Sequence, residues 1–67
     1  MIFVNGEPVD TVARPTIREV LVERGIDPDA AGIAVAVDAE VARRGVWQTR
    51  TLHDGARVEI VRAVQGG

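Results

Sequence analysis

The chain has 67 residues with a net charge of −2, and its apolar fraction is 46%. That length allows one domain and a core so small that every element must contribute to it. The absence of cysteine excludes disulfides, thiolate metal sites and a catalytic thiol, and the single histidine, His53, excludes a multi-histidine metal centre. The net negative charge argues against a nucleic-acid partner, which calls for a concentrated positive face. All eight basic residues are arginine, so the chain cannot carry lysine-linked branches of itself. No apolar run reaches the ~20 residues that span a bilayer, and no basic stretch precedes an apolar one at the start. A cytoplasmic protein with no membrane partner is expected.

Met1-Ile2-Phe3-Val4 is apolar and runs into Asn5-Gly6. That pair favours a two-residue turn with positive φ at both central positions, so a β-hairpin is predicted. Its second strand is expected near residues 8–12, with Pro8 on an edge because it has no N–H for a ladder. Pro15 and Thr16 open a helix. Thr16 and Glu19 have capping-box spacing, and Ile17, Val20, Leu21 and Arg24 share one stripe. Gly25 is placed to end this helix after two to three turns, with Ile26 folding back on Leu21. Asp27-Pro28-Asp29 is turn chemistry, with a further short helical turn expected through Ala30-Ala31.

Ile33, Val35 and Val37 then alternate with Ala34 and Ala36, as in an interior strand whose larger side lies under the helix. Asp38-Ala39-Glu40 turns the chain into a brief return strand at Val41-Ala42. Residues 43–49 have no period and read as loop. After the Asp54-Gly55 turn, Arg57 to Val64 forms a long strand, with Val58, Ile60 and Val64 on one side. Residues 65–67 follow as a flexible tail. If the first strand lies parallel to the last, the helix crosses one face of a mixed sheet of four to five strands. The fold class is α+β, the β-grasp or ubiquitin-like arrangement, filling residues 1–67 as one domain.

Candidate chemistry is sparse. His53 has no nucleophile to serve. Asp27, Asp29, Asp38 and Glu40 fit no metal-loop spacing and read as solvated turn residues. Arg43-Arg44 is a candidate docking pair for an acidic partner. Trp47 is a candidate interface anchor, although a small core needs its area more. Gly66-Gly67 stands apart. A diglycine directly after a strand has the narrow profile that a partner's channel accepts, and its terminal carboxylate becomes reactive once adenylated.

The ordered pieces resemble the ThiS family of thiamine-biosynthesis sulfur carriers: Asn5-Gly6, Thr16-Ile17 with Glu19-Val20-Leu21, Ile33 to Val37, Arg44 with Trp47, Leu52-His53-Asp54-Gly55, Val58 to Val61 and Val64-Gln65-Gly66-Gly67. The chain departs from the family's usual Val-Pro-Arg at Ala42-Arg43-Arg44, from its Asp-Gly-Asp at Ala56, and from its third glycine at Gln65. The resemblance implies that Gly67 is adenylated and then carries sulfur as a thiocarboxylate, while Gly66 gives clearance for threading. It implies an E1-like adenylyltransferase partner (ThiF or a paralogue) that uses ATP. It also implies a sulfur donor fed by a cysteine desulfurase and a thiazole synthase (ThiG) as acceptor. The carrier would be a co-substrate with no bound cofactor, not an enzyme. Arg44, Trp47, Val64 and Gln65 are the candidate docking residues. The alternatives are a MoaD-like carrier for molybdopterin synthesis and a protein modifier joined to lysines.

Overall fold

A computed structural model of the chain describes residues 1–63. The elements are β1 (Ile2–Val4), β2 (Glu7–Val9), α1 (Ile17–Glu23), β3 (Ile33–Val37), β4 (Glu40–Ala42), a short 3-10 helix (Arg44–Val46) and β5 (Arg57–Arg62). The five strands form one sheet in the order β2-β1-β5-β3-β4. β1 and β5 run parallel, and every other neighbouring pair is antiparallel. This is the expected mixed sheet with one helix. Among the described residues no helix is long and apolar enough to cross a membrane.

The hairpin forms where Asn5-Gly6 predicts it, with φ of 50° and 84° at the two turn residues. The register pairs Val4 with Glu7, Phe3 with Pro8 and Ile2 with Val9, so Pro8 does lie on an edge strand. The second strand covers Glu7–Val9 instead of residues 8–12. A two-residue turn dictates the earlier start. On the other side of β1 the Met1 carbonyl accepts from Gly55 N–H at 2.7 Å.

All four N–H groups of the first turn of α1 find acceptors. Ile17 donates to Arg50 O at 3.2 Å, Arg18 to Trp47 O at 3.0 Å, Glu19 to Thr16 Oγ1 at 3.1 Å and Val20 to Thr16 O at 3.2 Å. Glu19 returns the contact by accepting from Thr16 N–H at 2.9 Å, which completes the capping box. At the other end Ile26 N–H reaches Leu21 O at 2.9 Å and Gly25 N–H reaches Val22 O at 3.0 Å, the paired closure that Gly25 allows at φ 76°. A helix this short is stable only by packing. Ile17, Val20 and Leu21 are buried against Ile2, Val4, Val35, Val37, Val58 and Ile60 of the sheet.

Three other expectations are corrected. No helical turn forms at Ala30-Ala31; Asp27-Pro28-Asp29 makes only a turn, with Ala30 N–H on Asp27 O at 3.1 Å. Residues 43–49 contain the 3-10 helix, because Trp47 must turn back under the sheet to be buried. β5 ends at Arg62, and Val64 lies outside the described residues.

Candidate functional site

Gly67, Gly66, Gln65 and Val64 lie outside the described residues. The site that can be built is therefore the end of β5, from which they continue. Two contacts fix that end, one on each side of the strand. Toward β3, Ala63 N–H donates to Gly32 O at 2.7 Å. Gly32 holds φ at 80°, a left-handed conformation that a side chain would strain. A Cβ there would meet Ala63 only at ordinary contact, 3.5 Å, so conformation and not space demands the glycine.

Toward β1, Asn5 plays the part of a missing strand residue. Its Oδ1 accepts from Ile60 N–H at 2.8 Å, and its Nδ2 donates to Ile60 O at 3.3 Å. The turn residue thus serves the hairpin with its backbone conformation, and β5 with its N–H, which donates to Val58 O at 2.8 Å, and its side chain.

The loop leading into Gly32 is held by Arg44. Its guanidinium donates to Pro28 O, and to Ala30 O at 2.7 Å, while stacking 4.6 Å above the Trp47 ring. Arg44, named above for docking, is therefore committed to a brace inside its own chain. Trp47 is 3% exposed and donates Nε1–H to Ala42 O at 2.8 Å. The bland reading of Trp47 holds, and its place on a docking surface is corrected: the indole closes the core and offers a partner no area. Arg43 remains exposed.

The sheet face away from α1 offers what Trp47 does not. Alternation places Phe3, Ala34, Ala36, Val41 and Val61 there, and Val41 and Val61 are 79% and 60% exposed. Arg57 lies 5.5 Å over the Phe3 ring, and the register sets the exposed Glu59 beside Ala36, so charge separates Phe3 from the other apolar residues of this face. The sequence places Val58 and Ile60 on one side of the last strand but does not show that Val61, on the other, shares a face with Ala34, Ala36 and Val41. The strand register supplies the connection.

The titratable groups gather at the far end of the sheet. His53 Nε2 meets Asp38 Oδ2 at 2.8 Å, and its Nδ1 meets Asp54 O at the same distance. The Asp38 carboxylate, and then the Asp54 carbonyl, raise the His53 pKa. Asp38 is lowered by the Arg57 backbone N–H and then by His53. Asp54 is lowered by the terminal ammonium of Met1, which it meets at 2.6 Å. An open hollow of about 410 Å³ lies beside them, lined among others by Arg14 and Leu52. These groups border the start of β5, some five residues, roughly 17 Å of strand, from its end.

A mixed sheet gripping one helix, with parallel first and last strands, defines a ubiquitin-like β-grasp domain. Its sequence matches the ThiS family over residues 1–67, and the chain belongs to that family. It is 37% identical to a sulfur carrier protein ThiS of Thermus thermophilus, over the full length of both chains. Among solved structures it resembles the crystal structure of a thiamine biosynthesis protein (ThiS) from Geobacter metallireducens, at a TM-score of 0.78 and 28% identity, covering 98% of this chain and 97% of that one. A solution structure of a thiamine biosynthesis protein from the same organism matches at a TM-score of 0.78 and 29% identity, over 98% of this chain and 86% of that one.

Proposed function

We infer that this chain is a sulfur carrier for thiamine biosynthesis, with Gly67 as the residue that bears the sulfur. The observation that carries this reading is the end-to-end match to a sulfur carrier protein, 37% identical across the whole of both chains. The described residues are consistent with it: the chain fixes the end of β5 on both sides.

An E1-like adenylyltransferase of the ThiF type brings ATP. The Gly67 carboxylate attacks its α-phosphorus, pyrophosphate leaves, and an acyl-adenylate forms. The terminal sulfur of a cysteine-derived persulfide then attacks the acyl carbon and AMP departs. A thiol of the donor cleaves the resulting S–S bond, leaving a thiocarboxylate on Gly67 and a disulfide on the donor. A thiazole synthase of the ThiG type takes the sulfur, and the carboxylate returns. Gly66 provides clearance for entry into both partners, and Val64 and Gln65 form the approach. The carrier itself performs no catalysis and works in the cytoplasm. The open sheet face around Val41 and Val61 is the docking surface, since an apolar strip of this kind marks a contact site.

Intact-mass analysis after incubation with adenylyltransferase, ATP and a persulfide donor tests the proposal. One oxygen is expected to be exchanged for sulfur, localised to Gly67, and a chain lacking Gly67 is expected to stay folded and unmodified. Sulfur transfer by the truncated chain would overturn the reading. A requirement for thiazole in a strain lacking the protein identifies the pathway; loss of molybdoenzyme activity in its place points to a molybdopterin carrier.

A further inference from the structure

The two sides of β5 are not used equally. Toward β3 the ladder is complete: Asp38 N–H donates to Arg57 O at 2.8 Å and Ala63 N–H to Gly32 O at 2.7 Å. Between these the register pairs Glu59 with Ala36 and Val61 with Ala34. The odd-numbered residues therefore face β3, and the even-numbered ones face β1. On that side Asn5 N–H takes Val58 O at 2.8 Å, and the Asn5 side chain takes both backbone groups of Ile60. There the supply ends. β1 has only three residues against six in β5, and Asn5-Gly6 turns the chain away. By this alternation the N–H and C=O of Arg62 point away from β3, where Ile33 stands opposite at a non-hydrogen-bonded position, and no residue of β1 among the described residues reaches them in the vacant lane.

Building on the sulfur-carrier reading, we propose that this vacant lane receives an extended backbone segment of the adenylating enzyme, paired with Arg62 in the place a longer β1 would occupy. Unpaired strand groups are a template for another strand, and this one adjoins residues 64–67, which the enzyme must hold extended for adenylation. Pairing through Arg62 fixes the register of the chain that follows, and so fixes how far Gly67 reaches. A second copy of the chain is disfavoured as occupant. A two-fold antiparallel pairing centred on Arg62 would set Arg62 against Arg62, and like charges directly opposite are destabilising. The Arg62 side chain is exposed and has no carboxylate partner among the described residues, so a segment carrying an acidic side chain fits better.

Amide hydrogen exchange and adenylation kinetics test the proposal together. In the free chain the Arg62 amide is expected to exchange quickly while those of Val61 and Ala63 are protected. With saturating adenylyltransferase the Arg62 amide is expected to slow at least tenfold. Arg62→Pro removes the N–H yet breaks no bond to β3. It is expected to lower kcat/KM for adenylation about tenfold, the factor carried by one hydrogen bond of ordinary net strength, and more than Arg62→Ala, which keeps the N–H. A synthetic chain N-methylated at Arg62 serves if the proline variant fails to fold. An Arg62 amide that exchanges equally fast in the complex, or equal losses for R62A and R62P, overturns the inference and leaves the carrier reading standing. Failure of the unaltered chain to be adenylated overturns both. Slowed exchange that rises with carrier concentration in the absence of enzyme would identify a second copy as the occupant and overturn the proposal.

Discussion

Where β5 begins, its neighbours are fastened by charge. Asp38 receives the Arg57 N–H at 3.0 Å on one oxygen and His53 at 2.8 Å on the other, and the Met1 ammonium meets Asp54 at 2.6 Å. Where β5 ends, no ion pair is found among the described residues. Two uncharged devices hold it, the Asn5 amide on one side and the Gly32 carbonyl on the other. The contrast follows from what each end must do. The first end closes a sheet and can be tied by exposed charges at little cost. On the proposed function the second must hold a strand steady while leaving room beside it, and its bonds come from a short amide and a residue with no side chain.

The largest effect on that contrast is expected at Asn5. Asn5→Ala strands both backbone groups of Ile60 and places alanine at a φ of 50°. Together these are expected to cost about 2–3 kcal/mol. Urea denaturation followed by Trp47 fluorescence measures it. A loss no greater than that of an ordinary surface substitution would show that the open end is held by Gly32 alone. The same variant is expected to weaken adenylation beyond its effect on stability, because the end of β5 is no longer located on the β1 side.

Arg44 comes next. Arg44→Lys keeps the charge but loses the planar fork that reaches Pro28 O and Ala30 O together, and also the stack on Trp47. About 1 kcal/mol is expected to be lost, with a shift in Trp47 emission as the cation leaves its ring. An unchanged emission spectrum would show that the stacking contributes nothing in solution. The Gly32 contact to Ala63 should loosen with the loop, detectable as faster exchange of the Ala63 amide.

These predictions also mark how far the sequence could be read. Asn5-Gly6, the Thr16–Glu19 box and the Gly25 closure were legible because each is a local pattern whose partners lie within a few residues. The second task of Asn5 was not, since Ile60 is 55 positions away and nothing near Asn5 announces it. Arg44 read as a docking cation for the same reason: its acceptors are backbone carbonyls, which have no sequence signature. Trp47 was correctly weighed toward the core, because so small a chain has few other large apolar side chains. Gly66-Gly67 stands out in the sequence by contrast with a chain that offers no catalytic set, and it lies outside the described residues. The face that carries Phe3, Val61, Ala34, Ala36 and Val41 emerges only once register aligns four strands.

The smallest effect belongs to the charged end and carries a sign. Protonated His53 donates through both ring nitrogens, to Asp38 and to the Asp54 carbonyl, whereas the neutral ring can donate through only one. Its folded pKa lies above the ordinary 6.5, so its contribution is fully present below that value and is lost as pH rises through the raised pKa. Asp38 and Asp54 act in the opposite sense. Their folded pKa values lie below the ordinary 3.8, so their contribution is present above that value and fades as pH falls through the lowered ones. Stability from this end should therefore peak on the mildly acidic side of neutrality and decline toward alkaline pH. The pair is exposed, so the amplitude is expected to be small and to shrink further with salt. Melting temperatures of the unaltered chain and His53→Gln, taken across the neutral range, should converge as pH rises. Parallel curves would show that the 2.8 Å contact to Asp38 carries no net energy. Adenylation, which the proposed function assigns to the opposite end of β5, should follow the same pH course in both proteins.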